Sequence, residues 1–426
     1  MFPVLPSSGR ALASPARLAE NSRTDGFMTK RRALSLLALT QFLGMSVWFS
    51  ASAVVPALSS DWGLAAAAQA WLTMSVQLGF VVGTLASALL NLADRVPARI
   101  LFAVSSVAAG LATLLIPAAV SGLGGALVLR LLAGAFLAGV YPVGMKIMAT
   151  WTREDRGYGV GLLVGALTLG SAAPHLIKAF GRIGDWRPVL VSSGALAVLG
   201  GLAAAAFVHE GPYRAAVPRF DWKFAATIWR DRPVVLANLG YFGHMWELYA
   251  AWTWVPVFLI ASFGRRGIGE GQAALAGFAF IAAGTVGSLV AGRAADRVGR
   301  TAVTSAAMAV SGACSLVAGL LFGGNPWLLT AFVLVWGFAV VADSAQFSAG
   351  VSELAPPERM GTVLTLQTSL GFLLTLVTIR LVPSLLRLVG WRWAFAFLAL
   401  GPAAGIWAML RLRRRPEAAR MACGRR

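Results

Sequence analysis

Long apolar runs separated by short polar stretches dominate the chain between residues 33 and 411. A helix needs about 20 consecutive, mostly apolar residues to cross the hydrocarbon core of a bilayer, and these runs are too long and too uniform for strands. The pattern predicts twelve membrane-spanning helices, at 33–58, 70–92, 100–120, 124–150, 158–180, 188–208, 233–261, 272–292, 302–323, 326–351, 360–382 and 393–411. Pro56, Pro142, Pro256 and Pro402 fall inside these runs and predict kinks, because neighbouring helices satisfy the carbonyls that a proline frees.

Polar segments at both ends and in the middle of the chain predict its division into two bundles. Residues 1–32 are predicted to form a cytoplasmic N-terminal tail, and they lack the apolar core of a signal peptide. The longest internal polar stretch, 209–232, predicts a cytoplasmic linker between one six-helix bundle at 33–208 and a second at 233–411. Residues 412–426 are predicted to form a basic cytoplasmic tail.

The two halves repeat each other. Asp94-Arg95 in a loop of the first half recurs as Asp296-Arg297 in the corresponding loop of the second. The other matches are Phe42, Met45, Ala51, Val55 and Pro56, which recur as Phe242, Met245, Ala251, Val255 and Pro256. Internal repeats are typical of transporters built from two halves around a central site, and chance matching among common apolar residues is the alternative.

Composition places the chain among membrane proteins. Hydrophobic residues make up 58% of it and charged residues only 12%, whereas a soluble domain has about 25% charged residues. Cys314 lies in an apolar run and Cys423 in the basic tail. Their positions match neither a disulfide framework nor metal-ligand spacing.

The net charge of +19 would suit a protein that binds nucleic acid, but the distribution of the basic residues indicates a topology signal instead. With both termini inside the cell, the inside segments hold 26 Lys and Arg residues and the outside loops hold eight. This bias predicts cytoplasmic termini. Arginine greatly outnumbers lysine, which favours a GC-rich bacterial gene and hence a bacterial inner membrane. We expect no nucleic-acid partner.

The loop after the eighth predicted helix reads GRAADRVGRT over residues 292–301. It resembles the loop signature of the major facilitator superfamily. The matching residues are Gly292, Asp296, Arg297, Gly299 and Arg300.

A second loop and one helix extend this resemblance. The first-half loop LNLADRVPAR, residues 90–99, keeps Asp94 and Arg95 but has leucine and proline where the family usually has glycine. The fourth helix has Arg130 followed by Gly134, similar to a second motif of the family. The resemblance implies an all-α membrane fold, with twelve helices in two halves related by a pseudo-two-fold axis. The chain is loosely similar to cyanate-permease-like and organic-anion-carrying members.

The resemblance also implies a gate formed by these loops. Asp296 is expected near the positive N-terminal end of helix five, and Asp94 near that of helix eleven. Arg297 and Arg300 are expected to pair with acidic residues after helix ten, such as Glu353. The alternative is that the basic residues of these loops serve only to set the topology.

Ionisable residues inside the predicted spans are the candidates for a transport pathway, because each costs about 2.5–3.5 kcal/mol in the hydrocarbon. Arg130 and Lys146 lie on helix four, Glu247 on helix seven and Asp343 on helix ten, and His244 is one turn before Glu247. In the superfamily, helices one, four, seven and ten line the central cavity. The resemblance therefore places all four charges there, where pairs between the halves are expected to form in one conformation and break in another.

Helix geometry limits this interpretation. Arg130 and Lys146 are 16 residues apart, which is about 160° on an ideal helix. Both face one cavity only if Pro142 bends or rotates the helix. The alternative for Lys146 is that it extends to the cytoplasmic interface.

Helix seven carries two further signals. The His-x-x-Glu pair of His244 and Glu247 has no second ligand pair elsewhere, so we expect no metal and no cofactor. Aromatic residues crowd the same helix, namely Trp246, Tyr249, Trp252 and Trp254. They indicate either an amphipathic organic substrate or an interfacial belt.

These patterns favour a secondary transporter that moves a small organic solute, with an anion as one candidate, by alternating access. Proton coupling is expected through Glu247, His244 or Asp343. The alternatives are a polytopic membrane enzyme and a non-transporting membrane sensor. The sequence shows no nucleophile cluster, no Walker-type phosphate loop and no soluble signalling domain. The expected partners are the solute, protons and the lipid bilayer, and the chain is expected to act as a monomer.

Overall fold

The structure is a computed structural model, and it describes residues 29–152, 156–181, 184–213, 228–356 and 359–425. These residues are mostly helical and contain no strand, which confirms the predicted fold class. Nine helical stretches among them are long and apolar enough to cross a membrane. The segments predicted at 33–58, 233–261 and 393–411 are also helical but do not belong to those nine. The count of twelve spans therefore remains a prediction.

The first half begins where Thr29 accepts a hydrogen bond from the amide of Arg32, as an N-cap residue does. Its helices in chain order are α1 (Lys30–Met45), α2 (Ser50–Ala53), α3 (Val55–Trp62), α4 (Ala66–Leu89), α5 (Leu92–Arg95), α6 (Ala98–Ala119), α7 (Leu123–Leu137), α8 (Tyr141–Trp151), α9 (Arg156–Phe180) and α10 (Arg187–Phe207).

The second half follows the predicted linker, of which residues 214–227 lie outside the described ranges. Its helices are α11 (Arg232–Gly264), α12 (Glu270–Val298), α13 (Arg300–Val317), α14 (Pro326–Ala342), α15 (Ser344–Leu354), α16 (Met360–Trp393) and α17 (Leu400–Arg413).

Several predicted spans are interrupted near their middle. A turn at residues 46–49 separates α1 from α2, and a turn at 138–140 separates α7 from α8. Pro56 and Pro142 lie in the first turns of α3 and α8, directly after breaks. A proline is tolerated there because the missing N–H has no helical partner to lose. By contrast, Pro256 lies inside α11 without interrupting it.

The eleventh predicted span ends later than expected. We predicted a helix over 360–382 followed by an outside loop, but α16 continues to Trp393. The regular helix is interrupted only at Gly390, where φ is +64°. Glycine adopts this conformation without the steric cost that a side chain adds.

The two halves meet along α9 and α12, which lie antiparallel. Thr285 Oγ1 donates to the carbonyl of Gly165 at 3.0 Å, and Ser288 Oγ donates to that of Gly161 at 3.3 Å. These small residues let the two backbones approach closely. Helices α4 and α16 form the corresponding contact on the other side.

The pair α9 and α12 has two distinct ends. At one end Gly157 lies beside Asp296, and at the other end Lys178 lies beside Glu270. We refer to these as the Asp296 end and the Lys178 end.

The C-terminal segment packs on the Asp296 end. Residues Pro416–Gly424 form a 3-10 segment against α15, with the Met421 side chain fully buried. The amide of Ala422 donates to Glu353 Oε2 at 3.1 Å, and Arg425 Nη1 donates to the carbonyl of Asp296 at 2.5 Å. The described part of the predicted basic tail is therefore bound to the loop motif of the second half.

Candidate functional site

Six aromatic rings lie where the two halves meet, and we call them the central aromatic cluster. They are Trp48, Phe49, Phe80, Tyr249, Trp252 and Phe372, all of them buried. The first three belong to the first half and the other three to the second. The turn between α1 and α2 carries Trp48 and Phe49, so the break in the first predicted span positions these two rings.

Contacts inside the central aromatic cluster join the halves directly. The ring centroids of Phe80 and Phe372 are 4.6 Å apart, and those of Trp48 and Phe372 are 5.5 Å apart. Phe49 lies 5.7 Å from Trp252 and stacks on Tyr249 at 6.2 Å. These separations fall in the range of attractive aromatic pairs. The contact closes the centre of the protein in this conformation.

Arg130 lies on α7, and its guanidinium is fully buried against the broken first span. Nη1 donates to the carbonyl of Val47 at 2.8 Å, Nη2 to that of Trp48, and Nε to that of Leu72 at 3.3 Å. Nη1 also reaches the hydroxyl of Ser50 at 3.2 Å. The guanidinium therefore holds the turn that positions Trp48 and Phe49, and its donors are directed at carbonyls within its own half.

Glu247 lies on α11 and is buried, as its central position in the sequence predicts. Ser311 Oγ on α13 donates to its Oε2 at 2.7 Å, and Trp336 Nε1 on α14 donates to its Oε1 at 2.8 Å. The carboxylate thus points into the bundle of the second half. The pair with Arg130 considered from the sequence is not formed in this conformation.

His244 and Asp343 contact each other within the second half. His244 Nδ1 is 2.8 Å from Asp343 Oδ1, and both side chains are buried. The contact has the distance of an ion pair without the angles of a hydrogen bond, and His244 Nε2 has no hydrogen-bond partner. Asp343 lies between α14 and α15, so a break in this span positions the carboxylate. The sequence predicted both residues as candidates but did not predict that they touch.

Lys146 lies half-buried on α8. The turn at 138–140 separates this helix from α7, which carries Arg130. The angle of about 160° that an ideal helix gives for the two residues therefore does not apply. Whether Lys146 and Arg130 face one cavity therefore stays a prediction.

The predicted gate residues of the second half lie together at the Asp296 end. A Cβ atom placed on Gly157, the second residue of α9, would lie 2.6 Å from Asp296 Oδ2. The carboxylate is therefore at the N-terminus of helix α9, as predicted, where the helix dipole favours a negative charge. Gly292 is buried against the carbonyl of Gly157, and Gly299 ends α12 with φ at +97°.

Arg300 forms the ion pair that the loop motif predicts. Its Nε and Nη2 atoms donate to the two carboxylate oxygens of Glu353 at 2.7 and 2.6 Å, and Nη1 donates to Gln346 Oε1 at 2.7 Å. Two parallel bonds of this kind give strong geometric specificity. Arg297 is exposed.

The corresponding loop of the first half is described only in part. Arg95 is exposed at the end of α5, and the side chain of Asp94 lies outside the described part of the structure. The predicted contact of Asp94 with the eleventh helix is therefore still a prediction.

The Lys178 end carries a second contact between the halves. Lys178 Nζ on α9 is 3.3 Å from Glu270 Oε2 on α12. These two residues, together with Val54 and Asp185, line a cavity of about 210 Å³. Lys178 and Glu270 were not among the candidates predicted from the sequence, because both lie near helix ends, where charged residues are common.

Sequence reasoning also missed the glutamines. Gln41 on α1 and Gln77 on α4 are completely buried, and neither atom of either amide group has a hydrogen-bond partner. An amide inside a predicted membrane helix is a signal that could have identified them, because polar groups in hydrocarbon need partners.

Comparison with known families gives one match. The family model described as Major Facilitator Superfamily matches the chain twice, over residues 37–265 and 237–422. The first match covers the first half and continues through the linker and α11, and the second covers most of the second half, in agreement with the internal repeat. No curated protein matches the chain.

Proposed function

This chain belongs to the major facilitator superfamily and is a multi-pass membrane transporter, and we propose that it moves a small organic solute by alternating access. Three contacts between the halves support this proposal: Asp296 with α9 at one end, Lys178 with Glu270 at the other, and the central aromatic cluster between them. A solute can cross only if each contact opens in turn. The central aromatic cluster carries the proposal, because rings from both halves meet there and close the centre of the protein.

Proton coupling is part of the proposal. Glu247 and the pair of His244 and Asp343 are ionisable and buried, a combination typical of proton relays in membrane proteins. The hydrogen bonds from Ser311 and Trp336 stabilise the carboxylate of Glu247. Loss of these bonds in a second conformation would favour the protonated acid, so that the proton affinity would depend on the state of the transporter.

The proposed setting is a bacterial inner membrane with both termini in the cytoplasm and a monomeric protein. The bias of Lys and Arg supports this orientation. The Asp296 end, which carries the loop motif and the basic C-terminal segment, is then the cytoplasmic gate. Reporter fusions at residues 209–232 test the orientation, and an outside location of that linker would overturn it.

The test of function is transport by purified protein in liposomes. We expect at least one compound from a panel of radiolabelled organic anions, cations and neutral solutes to enter faster than into protein-free liposomes. An imposed pH gradient should raise its accumulation. The proposal fails if every solute enters at the protein-free rate. A membrane enzyme would instead convert a compound without accumulating it, and a sensor would bind one without moving it.

A further inference from the structure

We propose that the central aromatic cluster, with the unpaired N–H groups of Trp48 and Trp252 and the amide of Gln77, forms the binding site for a neutral, flat organic solute that carries an oxygen acceptor. This inference rests on the proposed transport function and names the class of solute that the site takes.

The rings supply the flat and apolar part of the site. Six aromatic side chains from the two halves meet there. Each ring packs against other rings of the cluster, some in the same half and some in the opposite half. When the halves separate, these faces lose their partners. A planar solute replaces the lost ring contacts, which are attractive beyond the area that they bury.

The indole N–H groups supply the first polar feature. Trp48 Nε1 and Trp252 Nε1 are buried, and neither has a hydrogen-bond partner. A buried donor without a partner is unfavourable, because it has lost its hydrogen bonds to water and gained none in the protein. By contrast, Trp254 donates to the carbonyl of Ile379, Trp336 to Glu247, and Trp246 to the carbonyl of Phe397. Among the described residues, the two buried indoles that lack a partner therefore both belong to the central aromatic cluster, where a solute with an acceptor oxygen would pair them.

Gln77 supplies the second polar feature. It lies three residues before Phe80 on α4, so both side chains are on one face of that helix. Phe80 contacts Trp48 and Phe372, and this face is directed to the centre. The amide of Gln77 has neither its donor nor its acceptor satisfied. It can pair with a solute group that both accepts and donates, such as another amide.

The neutrality of the solute follows from how the nearby charges are used. Arg130 donates to three carbonyls of its own half. Glu247 accepts from Ser311 and Trp336. A charged solute would have to break one of these arrangements, and a buried charge left without its partner is strongly unfavourable. The unpartnered groups of this site, the indole N–H groups of Trp48 and Trp252 and the amide of Gln77, are neutral, and a neutral solute matches them.

Binding of four small probes to the purified full-length protein tests the class. Benzamide combines a flat ring with a neutral amide, and benzoate and benzylamine keep the ring but carry a negative or a positive charge. Cyclohexanecarboxamide keeps the amide without the flat ring. We expect benzamide to bind most tightly by calorimetry and to raise the melting temperature most. Tighter binding of either charged probe, or of the non-aromatic amide, would overturn the proposal, and so would the absence of benzamide binding.

Two tryptophans of α11 give a matched pair of variants. Trp252→Phe keeps a ring and removes an N–H that has no partner in the protein, so the melting temperature should fall less than in Trp254→Phe, which loses the same side-chain volume. Benzamide affinity should fall roughly threefold to tenfold, which is the range of one hydrogen bond. Trp254→Phe removes the hydrogen bond to Ile379, so stability should fall while benzamide affinity stays unchanged. Trp48→Phe provides the same test on the other half if Trp252→Phe does not fold.

These results separate this inference from the proposed function. If a solute of another class is transported and benzamide neither binds nor inhibits it, the assignment of the site is wrong and the transporter remains. An unchanged benzamide affinity in both Trp252→Phe and Trp48→Phe would likewise overturn the assignment. If no solute at all is transported, the proposed function fails, whatever the probes bind.

Discussion

Substitution of Gly157 by alanine should loosen the Asp296 end of the transporter. The new Cβ would lie 2.6 Å from Asp296 Oδ2, whereas an ordinary contact begins near 3.4 Å, so the carboxylate must retreat by 0.8 Å (3.4 minus 2.6) or more. The Asp296 side chain is about half exposed, at 51%, and can move into solvent. The cost is therefore not a steric clash but the loss of a carboxylate from a helix N-terminus.

That interaction is worth about 0.3–1 kcal/mol at an exposed helix end. Because 1.4 kcal/mol corresponds to a factor of ten in an equilibrium constant, the closed state should lose about a factor of two to five relative to the open one. Asp296→Asn removes the same interaction and also the 3.9 Å contact with Arg300, so its effect should be at least as large. Folding should be preserved and transport should be slower in both variants.

The assay is the distance between spin labels at Arg95 and Arg414, which are exposed residues of the first and second halves. Cys423, which is exposed, is replaced by serine in this background, and Cys314 is buried. Gly161→Ala is the control, because its Cβ would lie 3.4 Å from the carbonyl oxygen of Ser288, which is an ordinary contact.

A double variant makes the test decisive. If both substitutions act on one contact, Gly157→Ala should add little to Asp296→Asn, because interactions shared by two residues are not additive. The reasoning would be refuted if the changes in the Arg95–Arg414 distance were fully additive in the double variant. It would also be refuted if Gly161→Ala changed this distance as much as Gly157→Ala does. The loop would then be only a topology signal.

Three further predictions concern buried charges. Arg130→Lys keeps the charge but cannot donate to all of the carbonyls that Arg130 contacts. The free energy of unfolding should therefore fall by about 3 kcal/mol, since each hydrogen bond to a charged group is worth 1.5–3 kcal/mol. Unchanged denaturation in detergent would contradict this. Glu247→Gln mimics the protonated acid, so liposomes that contain this variant should still exchange solute but lose accumulation driven by a pH gradient. A variant that folds normally and still concentrates solute would exclude a proton role for Glu247. Glu353→Gln removes the charge paired with Arg300 and should weaken closure at the Asp296 end by about 0.2–1 kcal/mol, because part of this pair is exposed to solvent. An unchanged Arg95–Arg414 distance distribution would count against it.

The sequence was sufficient to predict features that depend on length, periodicity and local motifs. The helical fold follows from uninterrupted apolar runs, and the position of Asp296 at the start of α9 follows from a loop motif next to a helix end. Breaks next to Pro56 and Pro142 were also predictable, because proline restricts helices locally. The break at Asp343 was not, since no proline or glycine stands there.

The partners of buried charges could not be predicted, because they depend on how the helices rotate about their axes. Arg130 was expected to face a cavity, but its donors meet carbonyls that became available only because the first span is broken at residues 46–49. Glu247 was expected near the centre, and the structure shows that Ser311 and Trp336 hold it inside one half. The types and the spacing of Arg130 and Glu247 in the sequence do not indicate these partners.

Helix α11 would connect the proposed proton site with the proposed solute site. Glu247 lies on the face that contacts Ser311 and Trp336, whereas Tyr249 lies two residues further on, about 200° around the helix, and contacts Trp48 and Phe372 of the central aromatic cluster. Glu247 and Tyr249 lie in one helical stretch of α11 before Pro256, and this stretch turns as one body, so a change of partner on one face displaces the ring of Tyr249 on the other. If a proton binds Glu247, the hydrogen bonds that fix this face change, and the displacement reaches the contact between the halves. Coupling then needs no direct contact between proton and solute, because both act on the orientation of the same helix.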